Sequence, residues 1–291
     1  MSWTSILILF LAGSIAFAVG GVFISRKVLH HKVKEGHNDV LVPLFLTAGV
    51  IYAVLLAFMV IAMWEAYDAA KANVAEEASL MVPLYRQSYA MTPDKGGEIR
   101  HLIREYGEGV IKDWPRFRET ALGSPQARFV ANKIVAVFNT MTPTTKSREI
   151  ATAQFMQTFS QFLLDRNKRL VQAAESLSWI MWIAVFGGAM VTVGMSFVLY
   201  MDYPPPQYVM TSVLSVGIGM LLFLMLVLNR PFVGPLGIEP EPYEASLKLF
   251  DFLDQDFQKI AAEESAAEHG QSGEAGHKPA EQGAAEPKRH E

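Results

Sequence analysis

The chain has 291 residues, 51% of them hydrophobic, a formal net charge of −4 and no cysteine. The absence of cysteine excludes disulfides, thiolate metal sites and a cysteine nucleophile. The apolar residues are concentrated in four uncharged blocks, which excludes an ordinary soluble globule and indicates a polytopic membrane protein.

Charge is segregated as well. Residues 26–39 carry four Lys or Arg against two acids, residues 65–176 fifteen against thirteen, and residues 239–291 five against thirteen. The acidity therefore belongs to the C-terminal tail, and no basic surface for nucleic acid is indicated.

Met1 to Ser25 is uncharged, with the core SILILFLAGSIAFAVGGVFI. A secretory signal would place its basic residues before the apolar run and a small-residue cleavage step after it. Here the first charge, Arg26, follows the run, so the segment reads as a retained first membrane helix. Arg26 to Asp39 is a short basic connection. Its His30, His31 and His37, beside Glu35 and Asp39, lack the i,i+4 pairing of a defined metal site and read as a solvated loop.

The second block, from Val40 to Trp64, is long enough to cross the roughly 30 Å hydrocarbon core of a bilayer. It runs on as EAYDAAKANVAEEASLMVPLYRQSY, rich in strong helix formers. One helix is expected to leave the membrane and enter water without a break. At 100° per residue its faces separate. Gly49, Ala53 and Ala57 form a small-residue seam suited to close helix approach. Thr47, Ile51, Val54, Phe58, Ile61 and Glu65 form a second stripe, about 120° away. That stripe reads either as packing or lipid-facing surface, or as the wall of a pore, with apolar rings as a constriction between Thr47 and Glu65. Beyond Trp64, the recurrence of Ala66, Ala69, Asn73, Leu80 and Leu84 predicts a face buried in a bundle. Asn73 and Glu77 fall on or beside it, as structural polar groups or as the lining of a vestibule. The neighbouring Glu76–Glu77 pair reads as a solvated face, with a proton or cation site as the alternative.

The middle region is punctuated as helices. Thr92-Pro93-Asp94 opens one that Pro115 ends or kinks. Ser124-Pro125 supplies an N-cap and N1 for a short helix holding Phe129, Ile134 and Phe138. Thr142-Pro143 breaks the chain. A long segment from about Ser147 carries Ile150, Phe155, Phe159, Phe162, Leu163, Leu170 and Ala174, and is expected to run into the third membrane helix. Gly187, Gly188 and Gly194 there permit close packing. Prolines 204–206 predict a stiff non-helical turn before a fourth membrane helix from about Gln207 to Asn229, which holds Gly217 and Gly219.

RPFVGPLGIEPEPY is then non-helical and expected to pack under the membrane domain. An amphipathic helix from Glu244 to Glu264 presents Leu247, Phe250, Leu253, Phe257 and Ile260 on one side. From about residue 265 no bulky apolar side chain remains, so disorder is expected. The fold class is thus all-α, with four transmembrane helices and helices two and three prolonged into a water-soluble bundle. The divisions are 1–64, 65–176, 177–229, 230–264 and a tail at 265–291. No catalytic motif is present, so no enzyme, cofactor or metal is expected.

The residues Trp64, Glu65, Tyr67, Glu77, Ala78, Leu84, Tyr85 and Arg86 resemble a motif of the bestrophin-like membrane proteins. In that motif a membrane helix ends in Trp-Glu-x-Tyr and is followed by an Ala-rich stretch, Glu-Ala and Leu-Tyr-Arg. The likeness extends over roughly residues 5–240 and includes Pro231, Phe232 and Gly234. Through it the chain is distantly similar to bestrophins, which are pentameric anion channels. There an Asn-Pro-Phe-Gly follows the last membrane helix, whereas this chain has Arg230-Pro231-Phe232-Val233-Gly234. The acidic calcium clasp of animal bestrophins is replaced by IEPEPYE, so no calcium site carries over. The resemblance implies a homo-oligomeric anion channel, pentameric by kinship, with the second helices around its axis, in a bacterial inner membrane. The alternative is a non-conducting scaffold or sensor that binds partners through its helical domain. The basic first loop argues that residues 26–39 face the cytoplasm. The resemblance argues for a cytoplasmic helical domain, which is the orientation adopted.

Overall fold

A computed structural model describes residues 3–29, 35–142, 145–199 and 201–274. Among them there are nine α-helices and no strand. They are α1 (Trp3–Leu29), α2 (Asn38–Gln87), α3 (Pro93–Lys112), α4 (Trp114–Thr120), α5 (Pro125–Asn139), α6 (Lys146–Ala174), α7 (Trp179–Phe197), α8 (Pro204–Leu228) and α9 (Glu241–Glu274). Four of these, α1, α2, α7 and α8, are long and apolar enough to cross a membrane. The protein is therefore an integral membrane protein, all-α throughout the described residues.

The second helix is the axis of the architecture. Its 50 residues span about 75 Å at 1.5 Å per residue. Membrane block and water-soluble extension form one element, as the sequence predicts. In the membrane α2 packs on α7 and α8, and α1 lies against α8 and α7. Tyr52, Leu56 and Met63 of α2 close this core with Val185, Val193, Leu222 and Met225. Outside the membrane the same helix packs on α6, α9 and α3, and α3 carries α5. There Val74, Ala78, Met81 and Leu84 meet Ile103, Tyr106, Phe159 and Phe162.

Local punctuation follows the expected chemistry in several places. Thr92 precedes Pro93 at the start of α3, and Ser124 accepts the Ala127 N–H at the start of α5. Pro115 stands in the first turn of α4, directly after α3 ends. On α5, Ile134 is buried whereas Phe129 is exposed beneath the Lys133 ammonium. Ile150 on α6 is exposed too. Pro143 lies outside the described residues.

Three expectations need correction. Helix α6 does not run into the membrane: residues 175–178 are non-helical, with Glu175 and Ser178 in extended conformations. The freed Leu177 N–H donates instead to Asn229 Oδ1, which gives the break a partner on α8's C-cap. Prolines 204–206 do not exclude helix; they form the first turn of α8. The first N–H groups of a helix have no intrahelical acceptor, so proline there forfeits nothing. Finally, α9 continues to Glu274 and takes in the first ten residues of the expected tail. Its Ala and Glu content sustains the helix.

Candidate functional site

The buried face of α2 comprises Tyr52, Leu56, Met63, Ala70, Asn73, Val74, Glu77, Ala78, Met81, Leu84 and Tyr85. The opposite face is bare. Thr47, Ile51, Val54, Phe58, Ile61 and Glu65 are all exposed, Ile51 and Phe58 by 66% and 69%. The Thr47 hydroxyl donates to the Pro43 carbonyl. The stripe is therefore not intrachain packing. It is an apolar strip with a hydroxyl at one end and a carboxylate at the other, covered by no helix among the described residues.

The seam of Gly49, Ala53 and Ala57 contacts no other helix closely; a methyl group added at Gly49 would meet nothing within 4 Å. With Tyr52, Thr192 and Ile218 these residues line an open apolar groove of about 620 Å³. Close helix approach within the chain uses other glycines. Gly188 lies against the Tyr52 ring and Gly219 against Ser14, whereas Gly187, Gly194 and Gly217 face open space.

Below the membrane the buried polar residues of α2, Asn73 and Glu77, are structural. Glu76 is exposed, but Glu77 is fully buried, which overturns the reading of the pair as a solvated face. Arg169 on α6 grips the Glu77 carboxylate with two hydrogen bonds, of 2.6 Å from Nε and 3.1 Å from Nη2. The Tyr106 hydroxyl donates to the same carboxylate at 2.6 Å. The guanidinium lies against a cluster of rings: its Cζ is 4.9 Å from the centre of Phe117 and 5.6 Å from that of Trp114. Burial alone would lower the Arg169 pKa, but the Glu77 carboxylate outweighs it and holds the guanidinium well above its ordinary value. Burial, reinforced by that carboxylate, pushes the Tyr106 and Tyr243 phenols far up. One turn nearer the membrane, Asn73 Nδ2 donates to the Asp165 carbonyl. Asp165 in turn accepts from Gln161 and Lys168. Asn73 and Glu77 thus belong to a polar layer between α2 and α6. Sequence reasoning missed Arg169 and Asp165. The available signal was their position on α6, where both continue the stripe of Phe155, Phe159 and Phe162.

The remaining motif residues join the two halves of the molecule. The Tyr67 hydroxyl donates to the Leu236 carbonyl. Phe232 is buried against Phe117 and Trp114. The Pro231 carbonyl accepts from Ile238, folding the 229–240 segment back on itself. Gly234 has φ +96°, a conformation glycine adopts without strain, and lies against the Trp3 indole. Arg118 fastens this knot by donating to the Phe232 carbonyl and pairing with Glu239 at 2.7 Å. Trp64 and Arg86 are exposed, with the Trp64 ring near that of Tyr67.

Helix α9 is latched to the far end of α2. The Tyr85 and Tyr89 hydroxyls both donate to Asp254, and Arg104 reaches Asp251 and Asp254. Phe250 stacks on Tyr85 and Phe257 on Tyr89, while Ile260 is exposed. Burial and then the bonds to Asp254 raise both phenol pKa values.

Among the described residues no three His, Cys, Asp or Glu side chains cluster as metal ligands. His37 is exposed; His30 and His31 lie outside the described residues. Comparison with curated proteins and with solved structures gave no match. A family model described as the Bestrophin-like domain matches residues 12–243. With the long second helix, the Trp64–Tyr67 boundary and the Pro231–Gly234 knot all inside that match, the chain belongs to the bestrophin-like family.

Proposed function

We propose that the protein is an oligomeric ion channel in which α2 helices from several copies surround an axis. Each copy presents Thr47, Ile51, Val54, Phe58, Ile61 and Glu65 to that axis. The observation that carries this reading is the bare stripe on the side of α2 opposite the face that packs on the rest of the chain, in and out of the membrane. The arrangement suits a pore wall: apolar rings hold a constriction that gates by dewetting, and polar groups at its mouths receive hydrated ions.

The kinship with bestrophins supplies the remaining expectations: a pentamer, anions as the permeant ions, a bacterial inner membrane and a cytoplasmic helical domain. The groove beside Gly49, Ala53 and Ala57 is suited to a neighbouring subunit's helix, because small residues permit close approach. The test has two parts. Subunit number in native-like lipid is expected to show a closed ring, and purified protein in planar bilayers is expected to conduct. Phe58→Ala is expected to raise the current by widening the apolar constriction. A monomer or dimer that stays silent under all salts and voltages would overturn the channel and leave a scaffold that binds partners through its helical domain.

A further inference from the structure

A buried acceptor stands unused at the membrane surface. Gln172 lies near the C-terminal end of α6, and its Oε1 is buried with no hydrogen-bond partner among the described residues. The residue lines an open cavity of about 530 Å³, walled by α2 from Ala62 to Ala69, by the α6–α7 break and by the end of α8. Trp64, where the uncharged block ends, falls within that stretch of α2, so the cavity sits at the boundary of the bilayer. We propose that it binds a primary ammonium group carrying a short apolar body, with Gln172 Oε1 and the Glu175 carboxylate accepting the N–H donors. The site stands on the fold alone, whatever the pore conducts.

A carbonyl oxygen buried without a donor is a net loss to the fold. Two donors on the same wall are engaged elsewhere: the Tyr67 hydroxyl with the Leu236 carbonyl, and the Leu177 N–H with Asn229 Oδ1. Glu175, three residues beyond Gln172, adds a carboxylate that belongs to no salt bridge among the described residues. Among those residues no Lys, Arg or His lines the cavity. Two acceptors, one of them anionic, therefore face a space without a cation. An ammonium supplies three donors and the missing charge, and its bonds to a carboxylate are the strong, charge-assisted kind.

The rest of the wall selects the body of the ligand. Met63 and Leu228 belong to membrane helices, whereas Gln172 and Glu175 stand at the end of a helix of the water-soluble bundle. The cavity is thus apolar on its membrane side and acceptor-lined on its water side. Its volume is that of a small-molecule site, and the alanines of α2 leave the room. Water would give Gln172 a donor, but it brings Glu175 no countercharge and the apolar wall no contact. Two sources share the required chemistry: a soluble alkylamine, and the headgroup of an aminophospholipid entering from the bilayer.

The experiment titrates the full-length chain, in phosphatidylcholine nanodiscs at pH 7, with butylamine and reads thermal unfolding. Butanol has the same shape without the charge; tetramethylammonium has the charge without an N–H. Only butylamine is expected to raise Tm, with a half-maximal effect at about millimolar concentration, the scale for so small a ligand. Gln172→Leu is expected to weaken that binding by roughly tenfold or more, and the more exposed Glu175→Gln to weaken it less. Gln172→Glu keeps the shape and adds charge, so it is expected to tighten binding; it carries the test should Gln172→Leu fail to fold. Nanodiscs of phosphatidylethanolamine separate the two sources. A Tm already raised through Gln172, with the butylamine shift lost, identifies the lipid headgroup; an undiminished shift identifies a soluble amine. An equal rise with butanol, or a rise that both Gln172 variants leave unchanged, would overturn the proposal. So would no rise with butylamine in phosphatidylcholine, which would make the cavity a hydrated cleft only.

Discussion

Glu77 and Arg169 stand 92 residues apart in the chain and share two hydrogen bonds in a site without solvent. They tie the extended second helix to α6 about 20 Å beyond Trp64 along α2. A buried charge stripped of its partner is expensive, whereas an apolar pair of similar volume is tolerated. Arg169→Met is expected to destabilise the protein by about 3–5 kcal/mol, because Glu77 then stays buried and unpaired. The double variant Glu77→Leu with Arg169→Met is expected to recover much of that loss. Thermal unfolding of the purified protein measures both; equal, additive losses would mean the pair is not coupled.

Four tyrosines give the fold a defined alkaline limit. Tyr85, Tyr89, Tyr106 and Tyr243 all have pKa values raised above the ordinary 10.0, by burial first. A phenol whose folded pKa exceeds its unfolded one stabilises the fold fully below about pH 10. That contribution drains away as pH climbs through the folded value. Stability is therefore expected to be flat with respect to these groups at neutral pH and to fall steeply above about 10. Tyrosinate absorbance should appear together with loss of helical signal. Early, independent ionisation of Tyr106 in the folded protein would contradict the buried site.

The two adjacent glutamates show where sequence reading ends. Glu76 and Glu77 differ by 100° of rotation, yet one faces water and the other the centre of the bundle. Periodicity placed Glu77 beside the buried face, but the residue that makes burial possible, Arg169, lies on another helix. The membrane spans and the unbroken α2 were legible because length and absence of charge decide them. The cap at Ser124 was legible because its chemistry is local. The break at residues 175–178 was not, since it is sustained by Asn229 from a distant helix and carries no Gly or Pro. The prolines at 204–206 were misread because their effect depends on being in the first turn rather than the interior. Of the candidate site, the sequence offered the stripe as a spacing pattern; that no helix among the described residues covers it became visible only in three dimensions.

Asp254 holds α9 in place through two phenols and Arg104. Asp254→Asn weakens charge-assisted bonds worth about 1.5–3 kcal/mol. The expected result is faster hydrogen exchange across residues 247–260, with the α2–α6 contact unaffected. Unchanged protection of α9 would show that the Tyr85–Phe250 and Tyr89–Phe257 stacks suffice.

Gly234 is expected to be intolerant of side chains. Its φ of +96° disfavours any L residue, and an added methyl would press on Trp3. Gly234→Ala is expected to cost about 1–3 kcal/mol and to loosen the 229–240 knot. A lowered Tm with increased proteolysis near Gly237 would report it; an unchanged Tm would place the knot outside the stabilising contacts.

The chain contains no cysteine, which allows the central claim to be tested by single thiols. Val54→Cys and Phe58→Cys place one on the bare stripe; Phe23→Cys places one on the exposed face of α1. In planar bilayers, a water-soluble thiol reagent is expected to block current through the first two variants and to leave the third unaffected. Undiminished current through Val54→Cys and Phe58→Cys after labelling would contradict α2 as the wall of the pore.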